Sequence, residues 1–145
     1  ELVRNGEIPR MPRLYGVQAA NCAPYYAAYR AGADELVATD IRPTVAEGIA
    51  SSKPTRVREV LAAVRSSGAS VVAVSEEQIV AALGTLARGG LYVEPTSAAA
   101  AAGLTQLIAG GVVRRDELTV LVLTGSGLKA SERIGELLKL HAREG

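Results

Sequence analysis

With 145 residues the chain is long enough for one domain around a single buried core. Its 16 basic residues against 15 acidic ones leave a formal charge of +1, which argues against bulk attraction to nucleic acid or acidic lipid. Hydrophobic residues at 48% exclude a disordered tail, and five Tyr with no Phe or Trp require a core of Ala, Val, Leu and Ile. Such small side chains pack well only where helices and strands approach closely. A lone Cys22 and a lone His141 exclude an internal disulfide framework, and a metal site is not expected. No apolar run approaches the roughly 20 residues of a membrane span, and Glu1 to Pro12 lacks a signal-peptide core. A soluble, cytoplasmic protein is expected, without a nucleic-acid or membrane partner.

In chain order, Glu1-Leu2-Val3-Arg4 reads as the last turn of a helix, stopped by Asn5-Gly6. Pro9 and Pro12 make the following stretch a loop. Leu14 to Gln18 reads as a short buried strand. Pro24 suits a helix start, with Tyr25, Ala28 and Tyr29 on one face and Gly32 at the end. Residues 34–55 are irregular, punctuated by Pro43, Gly48 and Pro54. Val57, Val60, Leu61 and Val64 then mark an amphipathic helix closed by Ser66-Ser67-Gly68.

Val71 to Val74 is a β-branched run suited to a strand covered on both faces. Ser75 with Gln78 three residues on forms a capping box that opens a helix through Ile79, Leu83 and Leu86 to Gly89-Gly90. Leu91-Tyr92-Val93 reads as a short strand, and Pro95 starts a helix running from Ala98 to Ala109. Thr119 to Leu123 reads as a second fully buried strand, followed by Thr124-Gly125-Ser126-Gly127 and a last helix from about Ser131 to Ala142. Helices alternating with short, doubly buried strands predict an α/β fold: an open three-layer sheet of mainly parallel strands with helices on both faces. In such sheets ligands bind beyond the carboxyl ends of the strands. That edge holds Gln18 to Asn21, Tyr92 to Ala98, and Thr124 to Lys129.

Thr124-Gly125-Ser126-Gly127-Leu128-Lys129 departs from the phosphate-loop spacing and matches the dinucleotide fingerprint only in part, with Ala130 in its last place. The alternatives are a plain glycine turn at a strand end and a turn whose hydroxyls, on Thr124 and Ser126, face a ligand. Glu94-Pro95-Thr96-Ser97 reads either as a helix start capped by Thr96 or Ser97, or as an acid and open amides facing the same cleft. Lys53, between serines and a proline, reads as a solvated lysine rather than a catalytic one held in a dry pocket. Cys22 reads as a small buried thiol and His141 as an exposed residue of the last helical turn.

Three segments in order resemble the threonine synthases. Leu91 to Ala100 is similar to their EP-[AST]-SAAA segment, Leu123 to Lys129 to their LTG-x-GLK turn, and Gly16 to Ala20 to their GFQA strand end. Ser75 to Ile79 and the Ala-Arg-Gly before Leu91 also fit, so the likeness runs from about Arg13 to Leu138. The chain thus resembles the C-terminal part of a pyridoxal-phosphate enzyme of the tryptophan-synthase-β fold type. The resemblance implies that Thr124 hydrogen-bonds the cofactor's pyridine nitrogen, beside Gly125 and Ser126. It also implies that Gln18, Ala19 and Ala20 line the ring and that Glu94 lies near its edge.

The same resemblance implies that residues 1–145 are the C-terminal portion of the large cofactor domain. Residues 1–12 would end a preceding helix and loop, and residues 13–142 would form the α/β body. The implied reaction turns O-phosphohomoserine and water into threonine and phosphate, a small amino-acid substrate handled by a homodimer. The family's Schiff-base lysine and glycine-rich phosphate loop lie upstream of the strand matching Leu14 to Gln18 and have no counterpart here. The chain alone is therefore expected to be inactive, with no catalytic residue of its own and weak or no cofactor binding. Ser52-Lys53-Pro54 stands where many threonine synthases have G-N-P. That leaves a threonine or serine dehydratase-like parent as an alternative, beside a non-catalytic α/β ligand-binding module.

Overall fold

The computed structural model describes residues 1–139. His141 and the expected end of the last helix lie outside the described residues. Strand β1 (Gly16–Ala19) and strand β2 (Val71–Val74) pair in parallel, with Gly16 opposite Val71 and Ala19 opposite Val74. The connection between them carries helix α1 (Pro24–Arg30), a 3-10 turn (Glu47–Ile49) and helix α2 (Val57–Ser66). Helix α3 (Glu76–Arg88) follows β2, and helix α4 (Pro95–Ala109) follows α3. A 3-10 turn (Gly127–Ala130) leads into helix α5 (Ser131–Leu137).

Alternation along β2 explains how helices come to cover both faces. Val71 packs with Ala28 of α1 and with Leu61 and Val64 of α2. Val74 joins Ala19, Ile79, Leu83, Ala98, Ala99 and Ala102, the cluster built by α3 and α4, while Val72 meets Leu107 farther along α4. Gly103 lets α4 approach β1: a Cβ there would overlap both methyls of Val17, with Cγ1 only 2.9 Å away. This is the close approach that a core without Phe or Trp demands.

Local signals hold where they rest on hydrogen bonds within a few residues. The Ser75 capping box is formed, with the Gln78 amide donating to Ser75 Oγ at 3.3 Å and the Ser75 amide donating to Gln78 Oε1 at 2.8 Å. Gly32 and Gly68, just beyond α1 and α2, take positive φ values of 67° and 71°, as such helix ends favour. Residues 34–55 are irregular apart from the Glu47–Ile49 turn.

Four expectations are corrected. The opening segment is a turn closed by the Asn5 amide on the Glu1 carbonyl at 2.8 Å, not a regular helix. The first strand begins at Gly16, and Leu14 is exposed. Leu91 to Val93 forms a single antiparallel bridge, Val93 to Ser126, rather than a strand. Thr119 to Leu123 is neither a strand nor buried: Val120 is 82% exposed and Val122 68%. A β-branched run favours a pleated, half-buried surface, but it becomes a strand only against a partner backbone. Among the described residues none pairs with it.

Candidate functional site

The bridge between Val93 and Ser126 joins two of the segments expected at the ligand edge. Around it the Glu94 amide donates to the Gly125 carbonyl at 3.2 Å, and the Gly127 amide donates to the Tyr92 carbonyl at 3.0 Å. Pro95 suits the first position of α4, since a helix leaves its first amides unpaired anyway. Glu94 precedes it as the N-cap, with no side-chain cap bond. Its carboxylate instead lies over Gly125, where any Cβ would collide with it. A side chain at 125 would therefore have to displace the Glu94 carboxylate from the turn.

Thr96 and Ser97 do not cap α4. Thr96 Oγ1 accepts from the Gly48 amide at 3.0 Å and fastens the Glu47–Ile49 turn to the start of α4. Ser97 is 1% exposed, and its Oγ accepts from the Gly125 amide at 2.9 Å. The same oxygen lies 3.4 Å from Thr124 Oγ1 and 3.3 Å from the Gly125 carbonyl. Thr124 itself is exposed, so a buried hydroxyl stands directly behind an open one. Ser126 Oγ accepts from the Leu128 amide at 3.3 Å and caps the following 3-10 turn. Gly127 is buried, packed between Ile134 Cδ1 and the Val93 carbonyl.

The structure therefore brings Glu94, Thr124, Gly125 and Ser126 together. Gln18, Ala19 and Ala20 form a second group at the carboxyl end of β1. Gln18 is buried, and its Oε1 accepts from the Tyr26 amide at 3.0 Å, so this side chain secures the first turn of α1. Ala19 is 1% exposed in the cluster that also holds Val93, Ala98 and Ala99, and this shared wall links the two groups. Ala20 is exposed beyond the strand end.

Ser97 is the residue that a reading of the residues as helix caps misses. The available signal was a hydroxyl placed directly before five alanines, a polar group whose neighbours offer it nothing to bond. Cys22 is buried, and burial pushes its thiol pKa up, away from nucleophile chemistry. A shallow cavity of about 240 Å³, lined by residues such as Asp34, Glu35 and Arg58, shares no lining residue with the site.

Parallel strands with helical cover define the α/β class, in which ligands bind beyond the carboxyl ends of the strands. The chain belongs to the pyridoxal-phosphate dependent enzyme family, whose model matches residues 3–125, and pyridoxal phosphate is the cofactor of that family. The threonine synthase of Methanocaldococcus jannaschii is 38% identical over 125 residues, 86% of this chain and 31% of its own length. That of Mycobacterium leprae is 37% identical over 126 residues, 86% of this chain and 33% of its own. A crystal structure of a T.th. threonine deaminase shares the fold, with a TM-score of 0.57 at 24% identity over 79% of this chain and 39% of that one. The chain spans about a third of the length of these curated relatives. No helix among the described residues is long and apolar enough to cross a membrane.

Proposed function

We propose that residues 1–145 are the C-terminal portion of the cofactor domain of a threonine synthase-like lyase. Residues 1–12 lead into an α/β body at residues 13–142. The complete protein converts O-phosphohomoserine and water into threonine and phosphate as a cytoplasmic homodimer. The observation that carries this reading is the exposed Thr124 hydroxyl on a turn pinned to Glu94 and Ser97. A single neutral hydroxyl backed by glycine and alanine suits the edge of an aromatic ring nitrogen, not a phosphate, which calls for cations or free amides.

Bound pyridoxal phosphate supplies an electron sink for carbanion chemistry. Thr124 would hold that ring through a hydrogen bond from its neutral hydroxyl to the ring nitrogen, a partner that would give a weaker sink suited to β and γ elimination or replacement. Gly125 and Ser126 would flank the ring edge, and the Glu94 amide holds the Gly125 carbonyl. Gln18 keeps the end of β1 attached to α1, so that Ala19 and Ala20 present a flat wall. None of the three lysines is held in a dry pocket as a Schiff-base lysine would be: Lys53 lies in an exposed bend, and Lys129 and Lys139 are exposed as well. The 145-residue chain alone is inactive on this reading.

The test uses the complete protein, whose coding sequence upstream of Glu1 is expected to contain a glycine-rich phosphate loop and a Schiff-base lysine. Supplied with O-phosphohomoserine, it should release threonine and phosphate in equal amounts. A second reading, a threonine or serine dehydratase, is favoured by Ser52-Lys53-Pro54 and by the fold shared with a threonine deaminase. Release of a keto acid from threonine, with no phosphate from O-phosphohomoserine, would establish that reading instead. An upstream sequence lacking both motifs would leave a ligand-binding module.

A further inference from the structure

We propose that residues 42–49 form a strap across the carboxyl edge of the sheet, latched by Glu76 and poised to open over the candidate site. Its use as a gate rests on the cofactor reading above, whereas the latch stands without it. Three segments leaving the ligand edge hold the strap. After β1, the Asn21 carbonyl accepts from the Arg42 amide at 2.7 Å, and Asn21 Nδ2 donates to the Pro43 carbonyl at 2.7 Å. After β2, Glu76 Oε2 accepts from the Val45 amide at 2.7 Å. At the start of α4, Thr96 Oγ1 accepts from the Gly48 amide at 3.0 Å. Between these points Ala46, 0% exposed, enters the wall that also holds Ala19, Ala98 and Ala99. The strap thus spans both groups of the site.

Closing the strap is costly at one atom. Glu76 Oε1 is buried without a hydrogen-bond partner, and no ion pair reaches Glu76 among the described residues. This oxygen gives up water and regains no bond, a cost that offsets the charge-assisted bond at Oε2. Opening returns water to Oε1, so the closed strap lies close to balance with an open one. Packing adds little to hold it, because Thr44 and Ala46 are the only buried residues of the strap and both are small. Residues 34–41 and 50–55 on either side are mostly exposed and irregular, as the hinges of a local opening need to be.

The latch is tested by hydrogen exchange of the 145-residue chain at the Val45 and Gly48 amides, both bonded to the body. In the wild type they should exchange together through one local opening, well before the amides of β2 and at a rate insensitive to low denaturant. Exchange only with global unfolding would overturn the latch whatever any variant does. Glu76→Gln keeps an acceptor for the Val45 amide and leaves a neutral group, cheaper to bury, where the unpaired charged oxygen stood. Exchange at both amides should then slow by about 5-fold, with β2 and α3 unchanged. A rigid structural latch predicts the reverse, since a neutral acceptor makes the weaker bond. Unchanged or faster exchange in Glu76→Gln would therefore overturn the proposal.

The gate is tested in the complete protein, stripped of cofactor, by the rates at which it takes up and releases pyridoxal phosphate. Glu76→Gln should slow both rates by the same factor and leave the dissociation constant within about 2-fold, because a gate is passed in both directions. Unchanged rates, or a change confined to the dissociation constant, would overturn the gate. If the wild-type complete protein takes up no pyridoxal phosphate, it is the cofactor-site reading that fails, and the exchange result decides the latch alone.

Discussion

Gly103→Ala should destabilise the chain by about 2 kcal/mol, although helix propensity alone favours the change by about 1 kcal/mol. Gly103 lies inside α4, where alanine is the better helix former and where five alanines already precede it. The new methyl would have to occupy the space of Val17, whose Cγ1 is 2.9 Å and Cβ 3.2 Å from it. Val17 cannot swing aside, because a β-branched side chain on a strand has few rotamers and its backbone is held opposite Val72. Overpacking of this kind costs about 3 kcal/mol at its upper range, which outweighs the propensity gain. Thermal unfolding should show a drop of about 6 °C. Val17→Ala should remove most of the loss when combined with Gly103→Ala, because it clears the colliding methyls. A rise in melting temperature for Gly103→Ala would show that α4 does not cross β1 so closely.

Ile134→Ala is the second large change, expected to cost about 3 kcal/mol. Ile134 is the buried residue of α5, 1% exposed in the cluster shared by α3 and α4. Its Cδ1 also lies under Gly127, 2.9 Å from where a Cβ would sit there. Truncation removes the anchor of a seven-residue helix too short to persist alone. It also opens a cavity beneath the turn after Ser126. Hydrogen exchange should therefore rise first in residues 127–137, while β2 and α3 keep their protection. Uniform loss of protection across α3 and α5 would instead show that α5 is not a separately anchored element.

The limits of the sequence follow from how far each signal reaches. Ser75 with Gln78, Pro24, Pro95 and the Val71–Val74 run were legible because each depends on groups within a few residues. The glycine-rich turn at Thr124 to Gly127 was legible from its residues, but the strand expected before it was not formed. Thr119 to Leu123 misleads because its apolar residues describe a surface, and the partner for that surface is not part of the segment. Ser97 misleads because a hydroxyl near a helix start serves equally as a cap or as a support for a neighbouring turn. Only the position of Gly125 in space separates the two, and Gly125 lies 28 residues farther along the chain. Gln18 carries a similar lesson: its hydrogen bond to the Tyr26 amide, eight residues on, was not legible from the strand that carries it.

The central claim is that this chain carries the ring-edge part of a pyridoxal-phosphate site and lacks the lysine that completes it. The direct measurement is to incubate the 145-residue chain with pyridoxal phosphate, reduce with borohydride and map the modified lysines by mass spectrometry. Lys53, Lys129 and Lys139 should show only the slow, substoichiometric labelling of exposed amines. Stoichiometric labelling confined to Lys53, abolished in Lys53→Ala, would contradict the account by showing a complete site in this chain alone.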